Sequence, residues 1–306
     1  MTPVTPRPKL LLIGANGQVG WELRRTLACV GEVIAASLEG EYGPAIDLMD
    51  AQALARLIQE TQPDALINAA AYTAVDQAET ERAAAWRVNA EAVGEMGALL
   101  AHRRVPIIHY STDYVFSGRL GRPYTETDNP DPINVYGETK LAGERALLES
   151  GARALILRTS WVYGARGNNF LLSMRRLFQE REELRVVEDQ VGSPTWSRML
   201  AEVTALMLYR ILRGDLDLDQ VGGLYHLTGR GQVSWYGFAG AILKSTGART
   251  RLIPIASSEY QAPAKRPLFS VLDNRRFQET FGLALPDWCL SLAQCLEELE
   301  PAAPVS

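Results

Sequence analysis

The stretch KLLLIGANGQVGWEL, residues 9–23, constrains the fold more than any other part of the chain. KLLLIG is a continuous apolar run without polar alternation, as expected of a strand buried on both faces. It enters a turn carrying Gly14, Gly17 and Gly20, and then a segment in which Val19, Leu23 and Leu27 recur at helical spacing. Each glycine answers a different demand. The first permits a tight turn, the second lets backbone approach a pyrophosphate, and the third allows close packing of helix on strand. The spacing, G-x-x-G-x-x-G, predicts a dinucleotide site whose phosphates sit at the start of the helix.

The same alternation continues downstream. EVIAAS reads as a second strand, a helix follows near 51–61, and DALINAAA supplies a third strand. A helical pattern covers roughly 80–103, before VPIIHYSTDYVF gives another strand and its loop. Strands alternating with helices predict an α/β fold, a doubly wound parallel sheet with ligands at the carboxyl ends of its strands. An NAD site usually places an acid at the end of the second strand. Here Ser37 occupies that place and Glu39 follows, which leans toward NADP(H) and leaves NADH possible. Arg24 and Arg25 are the nearby cations that could reach a 2′-phosphate.

Composition narrows the function classes. A net charge of −5 without any Lys/Arg-rich run gives no reason to expect a nucleic-acid partner. No apolar stretch approaches the roughly 18–20 residues that span a bilayer, and the N-terminus lacks the apolar core of a signal peptide. No membrane association is expected, and the expected location is cytoplasmic. Cys29, Cys289 and Cys295, with His102, His109 and His226, form no metal-ligand spacing. MTPVTPRP and PAAPVS, at the two ends, read as frayed tails.

VYGETKLAGE places Tyr136 and Lys140 one turn apart on a predicted helix. A lysine ammonium beside a phenol favours the phenolate and is expected to bring its pKa nearer the operating pH, which suits general acid catalysis. Upstream, Ser111, Thr112 and Asp113 end a strand at the expected active-site edge, so a hydroxyl there can share a hydrogen bond with the tyrosine and a substrate oxygen.

This arrangement behind a glycine turn resembles that of the short-chain dehydrogenases/reductases. IGANGQVGWEL, NAAAYTAVDQAE, HYSTDYVFSG, NVYGETKLAGE, RTSWVYG, GNNF, DQVGSPT, GLYHL and RPLFSVLDN run in one order over nearly the whole chain. Together they resemble the dTDP-4-dehydrorhamnose reductases, extended members of that superfamily with a Rossmann-type domain and a smaller substrate lobe. The corresponding division would be 1–160 and 161–306, with some later segments returning to the first domain.

The resemblance implies reduction of the C4 keto group of dTDP-4-dehydro-L-rhamnose by NADPH or NADH. Tyr136 would protonate the developing alkoxide, Lys140 would tune the tyrosine and hold the nicotinamide ribose, and Thr112 would position the carbonyl oxygen. Gly14, Asn16, Gly17, Gln18, Val19 and Gly20 would hold the pyrophosphate, with Ser37 near the adenosine ribose. Asp47 and Leu48 would meet the adenine, although Asp47 also reads as a helix N-cap. Ala69, Ala70, Ala71 and Tyr72 would line the nicotinamide side. The sugar nucleotide would meet Asp113, Tyr114, Trp161, Asn169, Gln190 and Arg266, the last as a diphosphate ligand.

Some members of this family dimerise around magnesium held by glutamates. Glu22 matches one ligand and Glu297 or Glu298 could be another, but the substrate-lobe position is Arg198. A cation there argues against magnesium and against that form of dimer, so either a monomer or a homodimer is expected and no metal residue is assigned. The rival readings are another nucleotide-sugar ketoreductase or epimerase, and a non-catalytic dinucleotide-binding regulatory subunit.

Overall fold

The computed structural model describes residues 7–299; apart from Arg7 and Pro8, the two ends read as tails lie outside the described residues. Six strands, β1 (Lys9–Ile13), β2 (Glu32–Ala36), β3 (Ala65–Asn68), β4 (Ile107–Thr112), β5 (Ala154–Thr159) and β6 (Gly223–His226), form one sheet. Their order is β6-β5-β4-β3-β1-β2, with every neighbouring pair parallel. From β1 the chain steps outward to β2 and then crosses to β3 on the other side of β1. The direction of winding reverses there, so the crevice at the carboxyl ends opens between β1 and β3.

The apolar run that opens the chain is buried as its pattern requires. Leu10 and Leu12 join the core on one face, Leu11 and Ile13 that on the other. Each such fully buried side chain contributes about 1.5–3 kcal/mol relative to exposure. Helix α1 (Gln18–Leu27) covers the first face, and α2 (Ala51–Thr61), α3 (Ala92–Leu100) and α4 (Val135–Glu149) cover the second. The helix expected over 80–103 is interrupted: Arg87–Glu91 forms a π turn between Arg82–Trp86 and α3. Gly143 of α4 packs on this turn, and a Cβ there would lie 2.1 Å from the Asn89 carbonyl oxygen.

Beyond residue 160 the chain alternates between two places. Helices α5 (Phe170–Glu180), α7 (Trp235–Thr246) and α8 (Trp288–Leu299) contribute to a separate apolar core with Tyr163, Trp196 and Cys295. The parallel pair Glu183–Val187 and Arg251–Ile255 belongs to this lobe. Between α5 and α7, helix α6 (Ser197–Leu212) returns to the main core through Leu200, Met207, Leu208 and Ile211, and β6 extends the sheet. Among the described residues no helix is long and apolar enough to cross a membrane.

Candidate active site

The three glycines have three distinct surroundings. Gly14 holds φ at +85°, and a Cβ there would lie 2.5 Å from the backbone nitrogen of Ala70. At Gly20 a Cβ would lie 1.9 Å from the Gly14 carbonyl oxygen, so helix and turn touch without side chains between them. Gly17 is exposed and a Cβ there would meet only the Gly14 oxygen, at 3.4 Å. Its missing side chain therefore clears space on the open side of the turn. Gly17 also begins α1 without a side-chain cap, and no acid stands in the first turn. These free N–H groups and the helix dipole make an anion site. The residues present thus fit a dinucleotide cofactor. Asn16 lies exposed on this turn and donates to Glu39, while Val19 packs into the core below.

At the end of β2 the buried Ser37 accepts a hydrogen bond from the Gly40 N–H at 3.2 Å. The following loop brings Tyr42 over Arg24, whose guanidinium lies 3.2 Å from that ring and 4.6 Å from Trp21. Arg25 is paired with Glu22 and Glu202. Asp47 accepts from the Met49 N–H, whereas the cap of α2 is Asp50, which accepts from Gln52. The N-cap reading of Asp47 is thereby corrected. Leu48 is buried beside it. On the other side of the crevice, Ala69, Ala70, Ala71 and Tyr72 follow β3. The Asn89 side chain fixes Tyr72 by accepting its N–H at 2.8 Å and donating to its carbonyl at 3.1 Å.

Tyr136 occupies the first turn of α4, which Asn134 caps by accepting from the Gly137 N–H. Thr112 and Asp113 leave β4 facing it. Burial pushes the Tyr136 phenol up to about 12, the Thr112 hydroxyl draws it down and the Asp113 charge raises it further. The expected lowering by Lys140 is not found, for a physical reason. Its Nζ is turned to the sheet, donating to the Tyr110 carbonyl at 2.7 Å and lying 3.2 Å from His109 Nε2. Lys140 is itself drawn down to about 8 by burial, against the pull of Glu144 one turn along. Asp113 is 2% exposed, its Oδ2 has no partner, and burial raises its pKa to about 7. Tyr114 stands edge-on to Tyr136 at 5.9 Å.

The proposed sugar-side residues do not all converge. Trp161 adopts a left-handed backbone (φ +46°), rare for a bulky residue, and its ring stacks on Trp235 at 3.5 Å. Arg266 is held by Asp76 at 2.8 Å and, with Gln190, Lys265, Ser257 and Tyr260, lines a cavity of about 340 Å³. Asn169 is directed inward: its oxygen caps α5 through the Leu172 N–H, while its amide donates to Gln18 Oε1 and to two carbonyls. It joins α5 to α1.

Sequence reasoning missed a polar layer beneath the site. Asn89, His109, Asn68, Glu144 and Arg158 are all buried, and Arg158 grips Glu144 through two bonds of 2.8 and 2.6 Å. The only sequence signal is a set of polar residues inside strand and helix patterns that otherwise run apolar.

The profile of the RmlD substrate binding domain matches residues 8–300. The chain belongs to this family. A dTDP-4-dehydrorhamnose reductase of Burkholderia thailandensis is 46% identical over 95% of this chain and 99% of the relative, and that of Escherichia coli K12 44% over 95% and 97%. Among solved structures, the Clostridium acetobutylicum reductase superposes with a TM-score of 0.86 at 36% identity, over 95% of this chain and 99% of its own. The Bacillus anthracis reductase, solved in complex with NADP, gives 0.86 at 33% identity over the same shares.

The magnesium known in some members of this family does not fit the residues here. Arg198 occupies the centre, its guanidinium 3.3 Å from Glu22 and in contact with Glu298. Among the described residues no group of three potential His, Cys, Asp or Glu ligands converges. The two carboxylates are already neutralised by a side chain.

Proposed function

We propose that this protein reduces the C4 ketone of dTDP-4-dehydro-L-rhamnose to dTDP-L-rhamnose, with NADPH preferred over NADH, in the cytoplasm. The observation that carries the reading is the placing of the Tyr136 phenol against Thr112 at the carboxyl end of β4, above a glycine turn with an uncapped helix start. The bound nicotinamide would supply hydride to C4. Tyr136, fully protonated at neutral pH, gives its proton to the developing O4 alkoxide, a stronger base than a phenolate. The Thr112 hydroxyl holds the same oxygen, and Asp113 offers its free Oδ2 to a sugar hydroxyl. Lys140 holds the nicotinamide ribose from below.

The NADPH preference is supported by Ser37 in place of an acid, by Glu39 being engaged with Asn16, and by Arg24 of α1 lying against Tyr42 in the loop that follows β2. Substrate binding through Arg266 and Gln190 is supported by their shared cavity. The decisive assay follows nicotinamide oxidation with dTDP-4-keto-6-deoxy-L-mannose and each cofactor in turn. Tyr136→Phe should lower kcat by about 10²–10⁴-fold. Cofactor binding without turnover of the sugar nucleotide would refute the reading in favour of a regulatory subunit.

A further inference from the structure

The orientation of every hydrogen bond beneath Lys140 is fixed by one backbone group. The Ala70 N–H can only donate, and it faces Asn68 Oδ1 at 3.1 Å. The other half of that amide, Nδ2, therefore points at His109 Nδ1, 3.0 Å away. An amide nitrogen carries hydrogens and no lone pair, so Nδ1 must accept, and the single proton of the neutral imidazole resides on Nε2. Nε2–H then faces Lys140 Nζ at 3.2 Å. A hydrogen bond forms there only if Nζ has a lone pair to offer. With an ammonium at Lys140, two donors would meet head-on at Nε2, at Nδ1 or at Ala70, in a layer where Asn68 and His109 are 0% exposed and Lys140 1%.

We infer that Asn68 and His109 are positioning residues for the reduction, which together present Lys140 with an N–H and favour its neutral amine over the ammonium in the free enzyme. This rests on the reading of the site as a reductase. An amine satisfies each neighbour: its lone pair accepts from His109, one N–H donates to Tyr110 at 2.7 Å, and the other remains for the site. The charged and titratable groups facing Lys140 agree with this. His109 approaches from β4 and is held neutral by burial. Glu144 lies one turn along α4 and is bound by Arg158 of β5, so no free carboxylate demands an ammonium. Tyr136 lies one turn back, with Asp113 beyond it.

The test is a long-range proton–nitrogen NMR spectrum of the imidazoles in the full, ligand-free protein at neutral pH. Only three histidines are present, and the His109 signals are those lost in His109→Gln. Expected is protonated Nε2 and bare Nδ1 at His109. His226, whose Nδ1 faces the Tyr124 carbonyl at 3.0 Å, should show the reverse and serves as an internal contrast. Protonated Nδ1 at His109 overturns the proposal. In Asn68→Asp a carboxylate accepts from both Ala70 and His109, which reverses the chain and turns a lone pair toward Lys140. The His109 tautomer should switch, and the limb of the kcat/KM profile near pH 8 should move up by about one unit or more. An unchanged tautomer or profile in a folded variant also overturns it. If that variant does not fold, the wild-type spectrum decides alone. Because the spectrum needs no substrate, failure of the sugar assay and failure of this inference are separate results.

Discussion

Asp113 should make the protein less stable as pH rises, and Asp113→Asn should abolish that effect. The carboxyl is 2% exposed with one unpartnered oxygen, and burial raises its pKa from 3.8 to about 7. Three units at 1.36 kcal/mol each give a ceiling of ~4 kcal/mol for holding the charged form in the fold. The folded pKa lies above the unfolded one, so between them the native state binds more protons and stability falls with rising pH. Below about pH 4 both states are protonated and the penalty vanishes; above about pH 7 it is complete. About two of the three units lie between pH 5 and pH 9, so wild type should lose ~3 kcal/mol relative to Asp113→Asn across that interval. Urea unfolding followed by circular dichroism at both pH values measures the difference. Parallel pH dependences in the two proteins would refute a buried Asp113 held above its ordinary pKa.

The glycine turn separates folding from binding. Gly20→Ala, with its Cβ 1.9 Å from a backbone oxygen, should unfold at markedly lower temperature. Gly17→Ala should keep its melting temperature and bind NADPH at least tenfold more weakly, by about 1.4 kcal/mol or more; calorimetric titration checks this, and equal affinity would refute the anion-site reading. Activity should survive EDTA, since Arg198 stands between Glu22 and Glu298. Arg198→Glu should instead bring three carboxylates together, lowering the melting temperature unless millimolar magnesium is added, as thermal scans with and without the ion would record.

The parts of this molecule that were legible in its sequence are those that local chemistry determines. The buried strand at 9–13, the glycine turn and the Tyr136–Lys140 spacing each express a demand met within a few residues. What escaped depends on partners distant in the chain. The bond from Asn169 to Gln18 could not be read, because nothing near Asn169 revealed a partner 151 residues earlier. Lys140 looked aimed at Tyr136 because periodicity gives the helix face and not the strand behind it, where His109 and the Tyr110 carbonyl wait. The π turn at Arg87–Glu91 resembles ordinary helix in its apolar pattern, and the contacts of Asn89 with Tyr72 and Thr139 form across segments that the pattern does not link.

The bond between Gln18 and Asn169 unites the first residue of α1 with the cap of α5. The uncapped start of α1 is thus fastened to the start of α5. By thermodynamic linkage, whatever free energy the first ligand gives to tightening that fastening is returned to the second in equal measure, whichever arrives first.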